Sequence, residues 1–118
     1  MEIIFYWIPN CTTCQKAKRR LEYHRAAIEK LRDIKEEPLS RREVEQLAKL
    51  LGGAENLFSR RSTKYRELGL KDKKLTETEM LDLMAGEYTF LKRPILVVNG
   101  KAVAGFFEKE YDEFLKSK

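Results

Sequence analysis

The chain opens with an apolar run, Ile3-Ile4-Phe5-Tyr6-Trp7, preceded by Glu2 and closed by Ile8-Pro9-Asn10. That pattern predicts a buried first strand followed by a loop. From Thr12 the sequence turns helical, with Ala17, Lys18, Leu21 and Glu22 and no Gly or Pro until Pro38. Ile28, Leu31 and Ile34 then fall three apart, a spacing that suits a helix at least as well as a strand. A short second strand is the reading adopted, because a lone first strand needs a partner. Two strands joined by a helix form a right-handed βαβ unit with parallel pairing. Ser40 with Glu43 makes a capping box ahead of Val44, Leu47, Ala48 and Leu51, and Gly52-Gly53 ends that helix. Leu57-Phe58 marks an apolar loop or short turn. Ser62 to Leu68 predicts a short helix stopped by Gly69. Thr76 with Glu79 caps another helix, which carries Met80, Leu81, Leu83 and Met84 and ends at Gly86.

The last third has the clearest pattern. Ile95-Leu96-Val97-Val98 is a buried strand, Asn99-Gly100 suits a type I′ turn, and Lys101-Ala102-Val103-Ala104-Gly105-Phe106 returns antiparallel. Phe107, Tyr111, Phe114 and Leu115 then form one apolar stripe on a final helix. The order is β-α-β, helical pieces, β-hairpin, α. It predicts an α/β thioredoxin/glutaredoxin-like fold: a four-stranded mixed sheet with a helical insertion between the second and third strands. We expect a single domain over 1–118, with its core at about 1–36 and 92–118 and the insert at about 37–91.

Composition narrows the class. Of the 118 residues, 42% are hydrophobic and 36% charged, and 24 basic against 19 acidic residues give a net charge of +5. The basic residues are mixed among acids, so no direct nucleic-acid binding is expected. No apolar run approaches the roughly 20 residues of a membrane span, and the N-terminus lacks a signal-peptide pattern. The expected setting is the cytoplasm, without membrane attachment. The densest basic run, Lys16-Ala17-Lys18-Arg19-Arg20, reads as a solvated helix face that also adds positive field near the thiols. His24 is read as an exposed surface residue, Trp7 as core or site wall, and Met80 and Met84 as core.

Chemistry concentrates at Cys11-Thr12-Thr13-Cys14, which holds the only two cysteines. A thiol at the first turn of a helix meets unpaired N–H groups and the positive end of the helix dipole, both of which stabilise thiolate. Cys14, one turn on, is placed to attack a disulfide or adduct formed on Cys11. In a reducing compartment a CxxC is more often redox-active or metal-binding than a structural staple. An incidental buried pair is one bland alternative. Another is a zinc site, but four ligands are needed and His24 is the only histidine, so no metal is expected within one chain. A four-cysteine site shared between two chains stays open.

The Cys11–Ala17 segment, Arg60-Arg61-Ser62, Tyr65-Arg66-Glu67-Leu68-Gly69-Leu70 and Leu91-Lys92-Arg93-Pro94-Ile95 together resemble the arsenate reductase/Spx family, over essentially the whole chain and in the family's order. The resemblance implies that Cys11 is the nucleophile and that Cys14 is the second thiol of Spx-like members. It also implies that Arg93 is the arginine before the thioredoxin-fold cis-proline, Pro94. Arg60 or Arg61 lies where the reductases keep an oxyanion-binding arginine. One departure stands out: the reductases carry a third arginine on or just after the last strand, where this chain has Ala104-Gly105-Phe106. That departure points to the Spx-type and reductase-like branches, although Spx usually continues past the last helix, whereas this sequence stops at Lys118.

Two functions follow from the resemblance. The first is a thiol-dependent oxidoreductase with no bound cofactor, restored by an external thiol reductant: glutathione, glutaredoxin or thioredoxin. The alternative is an Spx-like redox-sensing regulator that binds the RNA polymerase α subunit, with the insert around Gly52 helping to form the partner surface.

Overall fold

The computed structural model describes residues 1–116. At its centre lies β1 (Ile3–Trp7), flanked on one side by β2 (Lys30–Asp33) and on the other by β3 (Ile95–Val98), with β4 (Lys101–Ala104) at the far edge. The pairing β1–β2 is parallel, with Phe5 opposite Leu31. The pairings β1–β3 and β3–β4 are antiparallel, with Phe5 opposite Leu96 and Leu96 opposite Val103. This is the mixed four-stranded sheet that the element order predicts. All four residues of β3 are buried, as its unbroken Ile-Leu-Val-Val run requires.

The crossover between β1 and β2 is α1 (Thr12–Tyr23), whose buried residues Cys14, Ala17 and Leu21 lie along one face. Neither Gly nor Pro ends it. The Arg25 and Ala26 amides bond back to the Glu22 and Leu21 carbonyls at 2.9 and 3.0 Å, with Arg25 in the left-handed region at φ 54°. That is a Schellman ending with arginine where glycine is usual. Asn99 and Gly100 both have positive φ, as a type I′ turn needs. Asn99 also ties down the start of β1, accepting the Glu2 amide on its Oδ1 at 2.8 Å.

Two compact units make up the chain: Met1–Glu37 with the residues from Arg93 onward, and Pro38–Lys92. Within Pro38–Lys92 lie α2 (Arg41–Leu50), α3 (Thr63–Glu67) and α4 (Glu77–Gly86), with short 3-10 turns at Ala54–Asn56, Leu70–Asp72 and Tyr88–Phe90. Both expected capping boxes are present, Ser40 with Glu43 and Thr76 with Glu79. Leu57 and Phe58 are buried rather than loose. Phe58 stacks on Phe90 at 5.4 Å and bridges Leu91. Met80 and Met84 are core residues, as the spacing predicts.

In the sheet-bearing unit the last helix, α5 (Glu108–Lys116), buries Tyr111 and Leu115. Ile3, Phe5, Ala17, Leu21, Leu96, Val98, Val103, Tyr111 and Leu115 form the core between sheet and helices, with Phe106 and Phe114 packed against it. Full burial of each large side chain contributes about 1.5–3 kcal/mol. Phe107 departs from the expected stripe. It precedes the helix and is 54% exposed, while Phe106 packs edge-on against Tyr111 with ring centroids 4.9 Å apart.

Candidate functional site

The site begins where the chain leaves β1. Ile8 is buried, and its carbonyl accepts the Cys11 amide at 3.0 Å, closing a turn over Pro9-Asn10. Cys11 is the N-cap of α1, with extended backbone, and its carbonyl accepts the Gln15 amide at 2.9 Å. The Gln15 side chain reaches back and donates to the Pro9 carbonyl at 2.7 Å, so the loop and the first helical turn hold each other. No acidic residue lies in that first turn, so no carboxylate competes there for its unpaired amides.

The two sulfurs differ sharply in setting. Cys11 is half-buried, whereas Cys14 is fully buried; both are free thiols. They lie near enough for each to act on the other's ionisation. Burial pushes the Cys14 thiol up to about 12, and the Cys11 neighbour adds to the rise. The Ile8 backbone and the Arg93 charge pull the other way without cancelling it.

The Arg93–Pro94 peptide bond is cis. Pro94 is buried and Arg93 half-buried, and the guanidinium is near enough for its charge to act on Cys14. The Pro94 carbonyl accepts the Gly105 amide at 2.7 Å, fixing the segment after β4 beside the proline. Gly105 has φ 95°, and a Cβ there would stand 3.1 Å from the Phe107 ring. An arginine at this position would need both a strained backbone and a displaced ring. The backbone therefore accounts for the glycine standing near where the resemblance leads one to look for a third arginine.

Several contacts appear that no pattern in the sequence indicates. The Tyr111 hydroxyl donates to the Gly105 carbonyl at a long 3.5 Å, and burial, with a smaller contribution from Cys14, holds its phenol well above the ordinary range. Lys18 places its ammonium 5.6 Å from the centre of the half-buried Trp7 ring and bonds Glu22 at 2.8 Å. His24 is not the free surface residue expected. Its Nε2 lies 2.7 Å from Asp112 Oδ1, and Arg20 donates two 2.8 Å bonds to the same carboxylate. Arg20 and then His24 hold the Asp112 carboxyl well below the usual carboxylate range. The partner lies 88 residues away, which no local pattern reveals.

Arg60 and Arg61 belong to the Pro38–Lys92 unit and are exposed there. The Arg60 guanidinium lies 3.8 Å from Glu55 and 5.7 Å from the Phe58 ring centre, while the Arg61 amide donates to Ser59 Oγ at 3.3 Å. Among the described residues, no three His, Cys, Asp or Glu side chains gather as a metal site. No helix of the described residues is long and apolar enough to cross a membrane.

Comparison with known proteins agrees with this frame. The model of the ArsC family matches residues 6–114. The chain is 38% identical over 116 residues to "Uncharacterized protein YusI" of Bacillus subtilis (strain 168), covering 96% of this chain and 98% of that protein. It is 31% identical to the "Global transcriptional regulator Spx" of Lactiplantibacillus plantarum, covering 98% of this chain and 88% of the regulator. A solved arsenate reductase from Vibrio cholerae superposes with a TM-score of 0.82 at 25% identity, over 98% of this chain and 97% of the reductase. The chain belongs to the ArsC family.

Proposed function

We propose that this ArsC-family chain is a thiol–disulfide redox protein in which Cys11 attacks and Cys14 resolves. The observation that carries the reading is the unequal burial of two adjacent sulfurs. Cys11 is reachable at a helix start, while Cys14 is enclosed and held protonated at neutral pH. The Cys11 thiolate attacks one sulfur of a substrate disulfide, forming a mixed disulfide and releasing the other sulfur as thiolate. Cys14 then loses its proton and attacks Cys11 Sγ. The substrate's second sulfur leaves, and a Cys11–Cys14 disulfide remains. Two electrons pass from protein to substrate, and an external thiol reductant (glutathione, glutaredoxin or thioredoxin) returns them. Once Cys11 is in a mixed disulfide it no longer adds like charge beside Cys14, and the Arg93 charge is left to favour the Cys14 thiolate. Such a cycle suits a reducing compartment such as the cytosol.

Arg93 is the cation proposed to meet an anionic substrate, with Arg60 or Arg61 as a further contributor. The reductase relatives make arsenate the oxyanion to try first. The Spx relatives favour a second reading, in which the same disulfide is a switch controlling binding to the RNA polymerase α subunit.

The test is to mix reduced Cys14→Ser with oxidised glutathione and follow adducts by mass spectrometry. We expect one stable glutathione on Cys11 in the variant, and an intramolecular disulfide without adduct in the wild type. A variant that forms no adduct would refute the assignment. Arsenate turnover with glutaredoxin or thioredoxin favours the enzyme, whereas redox-dependent capture of the C-terminal domain of polymerase α without turnover favours the regulator.

A further inference from the structure

Outside the dithiol, a shallow groove of about 280 Å³ runs along the outer face of α1, lined by Lys16, Arg19, Arg20, Tyr23, Phe106 and Glu108. Its charges are unevenly satisfied. Arg20 is paired with Asp112 at 2.8 Å and meets Glu108 at 3.5 Å, whereas Lys16 and Arg19 have no carboxylate partner among the described residues. Its aromatic rings keep exposed surface, although the Tyr23 ring also meets His24 edge-on with centroids 5.3 Å apart. Tyr23 is 70% exposed, with the Arg20 guanidinium 4.3 Å from its ring centre, and Phe107 lies exposed beside Phe106. Two unpaired cations beside an exposed aromatic and a partly buried one suit a ligand that brings both carboxylates and an apolar side chain.

The groove lies on the helix that begins at the redox site. Phe106 follows Gly105, whose amide is bonded to the Pro94 carbonyl, and Lys16 lies five residues along α1 from Cys11. At 1.5 Å per residue, Lys16 is about 7.5 Å along the helix from Cys11 and Tyr23 about 18 Å. An extended peptide advances about 3.3 Å per residue, so five or six residues span that distance.

We infer that this groove docks an extended acidic segment bearing an aromatic residue, carried by the protein that exchanges disulfides with Cys11, its carboxylates lying some two to six residues from the reacting cysteine. The inference rests on the redox reading of Cys11 and adds the partner's recognition chemistry to it. The Lys16 and Arg19 charges steer and hold the segment, and the ring of Tyr23 gives its aromatic residue a surface to pack on.

The test uses a fluorescein-labelled peptide, Glu-Glu-Phe-Glu-Asp-Phe, titrated by anisotropy with the reduced full chain. Arg19→Glu reverses a groove charge that has no internal partner. Lys101→Glu makes the same change in net charge on the exposed hairpin. We expect Arg19→Glu to weaken binding at least about tenfold and Lys101→Glu to change it less than about twofold, with the wild-type affinity falling as salt rises. Equal weakening by both variants, no weakening by Arg19→Glu, or no wild-type binding at millimolar protein overturns the proposal. Glutathione-adduct formation on Cys11, measured in parallel on Cys14→Ser, reports the redox reading separately. Loss of adduct with peptide binding intact would sink that reading, and the reverse would sink only the groove.

Discussion

Replacing Cys11 with serine isolates Cys14 and makes its burial measurable. With a pKa of about 12, against an ordinary 9.0, the thiolate fraction at pH 7 falls from roughly 1 in 10² to roughly 1 in 10⁵, about a thousandfold. A more basic thiolate is a better nucleophile by about 0.4–0.5 log units per pKa unit, which over three units restores roughly twentyfold. The net expectation is alkylation about 50-fold slower than that of an ordinary thiol at pH 7, before access to a fully buried sulfur slows it further. Removing Cys11 deletes a smaller contribution to the shift but leaves burial, the largest. The assay is the rate of iodoacetamide labelling of Cys11→Ser, read by mass spectrometry from pH 6 to pH 10. The rate should rise tenfold per pH unit with no plateau. Labelling within about fivefold of free cysteine at pH 7, or a plateau below about pH 9, would refute the burial argument and the division of labour built on it.

Three further outcomes follow from the structure. Asp112 has a folded pKa depressed by Arg20 and His24, so its contribution to stability is present above the unfolded value near 3.9 and is lost as pH falls through the lower folded value. Urea titrations between pH 5 and pH 2 should therefore show a smaller acid loss in Asp112→Asn than in wild type; identical acid limbs would show that the ion pairs contribute nothing. Gly105→Ala places a side chain at positive φ against the Phe107 ring and should cost about 1–3 kcal/mol in chemical denaturation. An unchanged midpoint would mean that this loop relaxes freely. Ser40→Ala and Thr76→Ala each remove one half of a capping box and should each cost about 1 kcal/mol in chemical denaturation; an unchanged midpoint in either would show that its cap contributes nothing.

What the sequence made readable was local. The hairpin, both capping boxes and the buried first strand are written in adjacent residues, and each appears where the pattern puts it. The second strand is instructive. Ile28, Leu31 and Ile34 have helical spacing, yet Lys30–Asp33 pairs along β1 with Leu31 46% exposed, because backbone pairing with the central strand outweighs side-chain periodicity. Its charged residues suit an edge. The end of α1 carried no glycine because Arg25 occupies the left-handed position itself. At the site, the spacing of Cys11 and Cys14 was visible, but their unequal burial depends on packing around α1 that no local motif encodes. The Arg20–His24–Asp112 cluster and the contact of Tyr111 with Gly105 join residues from different elements. Of the apolar stripe on the last helix, Tyr111 and Leu115 are buried, while Phe107 precedes the helix and Phe106 takes its place against the core.

The strand order carries a consequence for synthesis. β1 is made first, yet one of its two neighbours, β3, begins some 90 residues later at Ile95. At roughly 5–20 residues per second, that neighbour is translated about 5–20 s after β1, later still for its emergence from the ribosome. Until then the Pro94 and Gly105 side of the dithiol has not been built, and the burial that separates Cys14 from Cys11 is incomplete. For that interval the nascent chain carries two thiols of similar character, and the distinction between them is acquired only when the C-terminal hairpin closes onto the first strand.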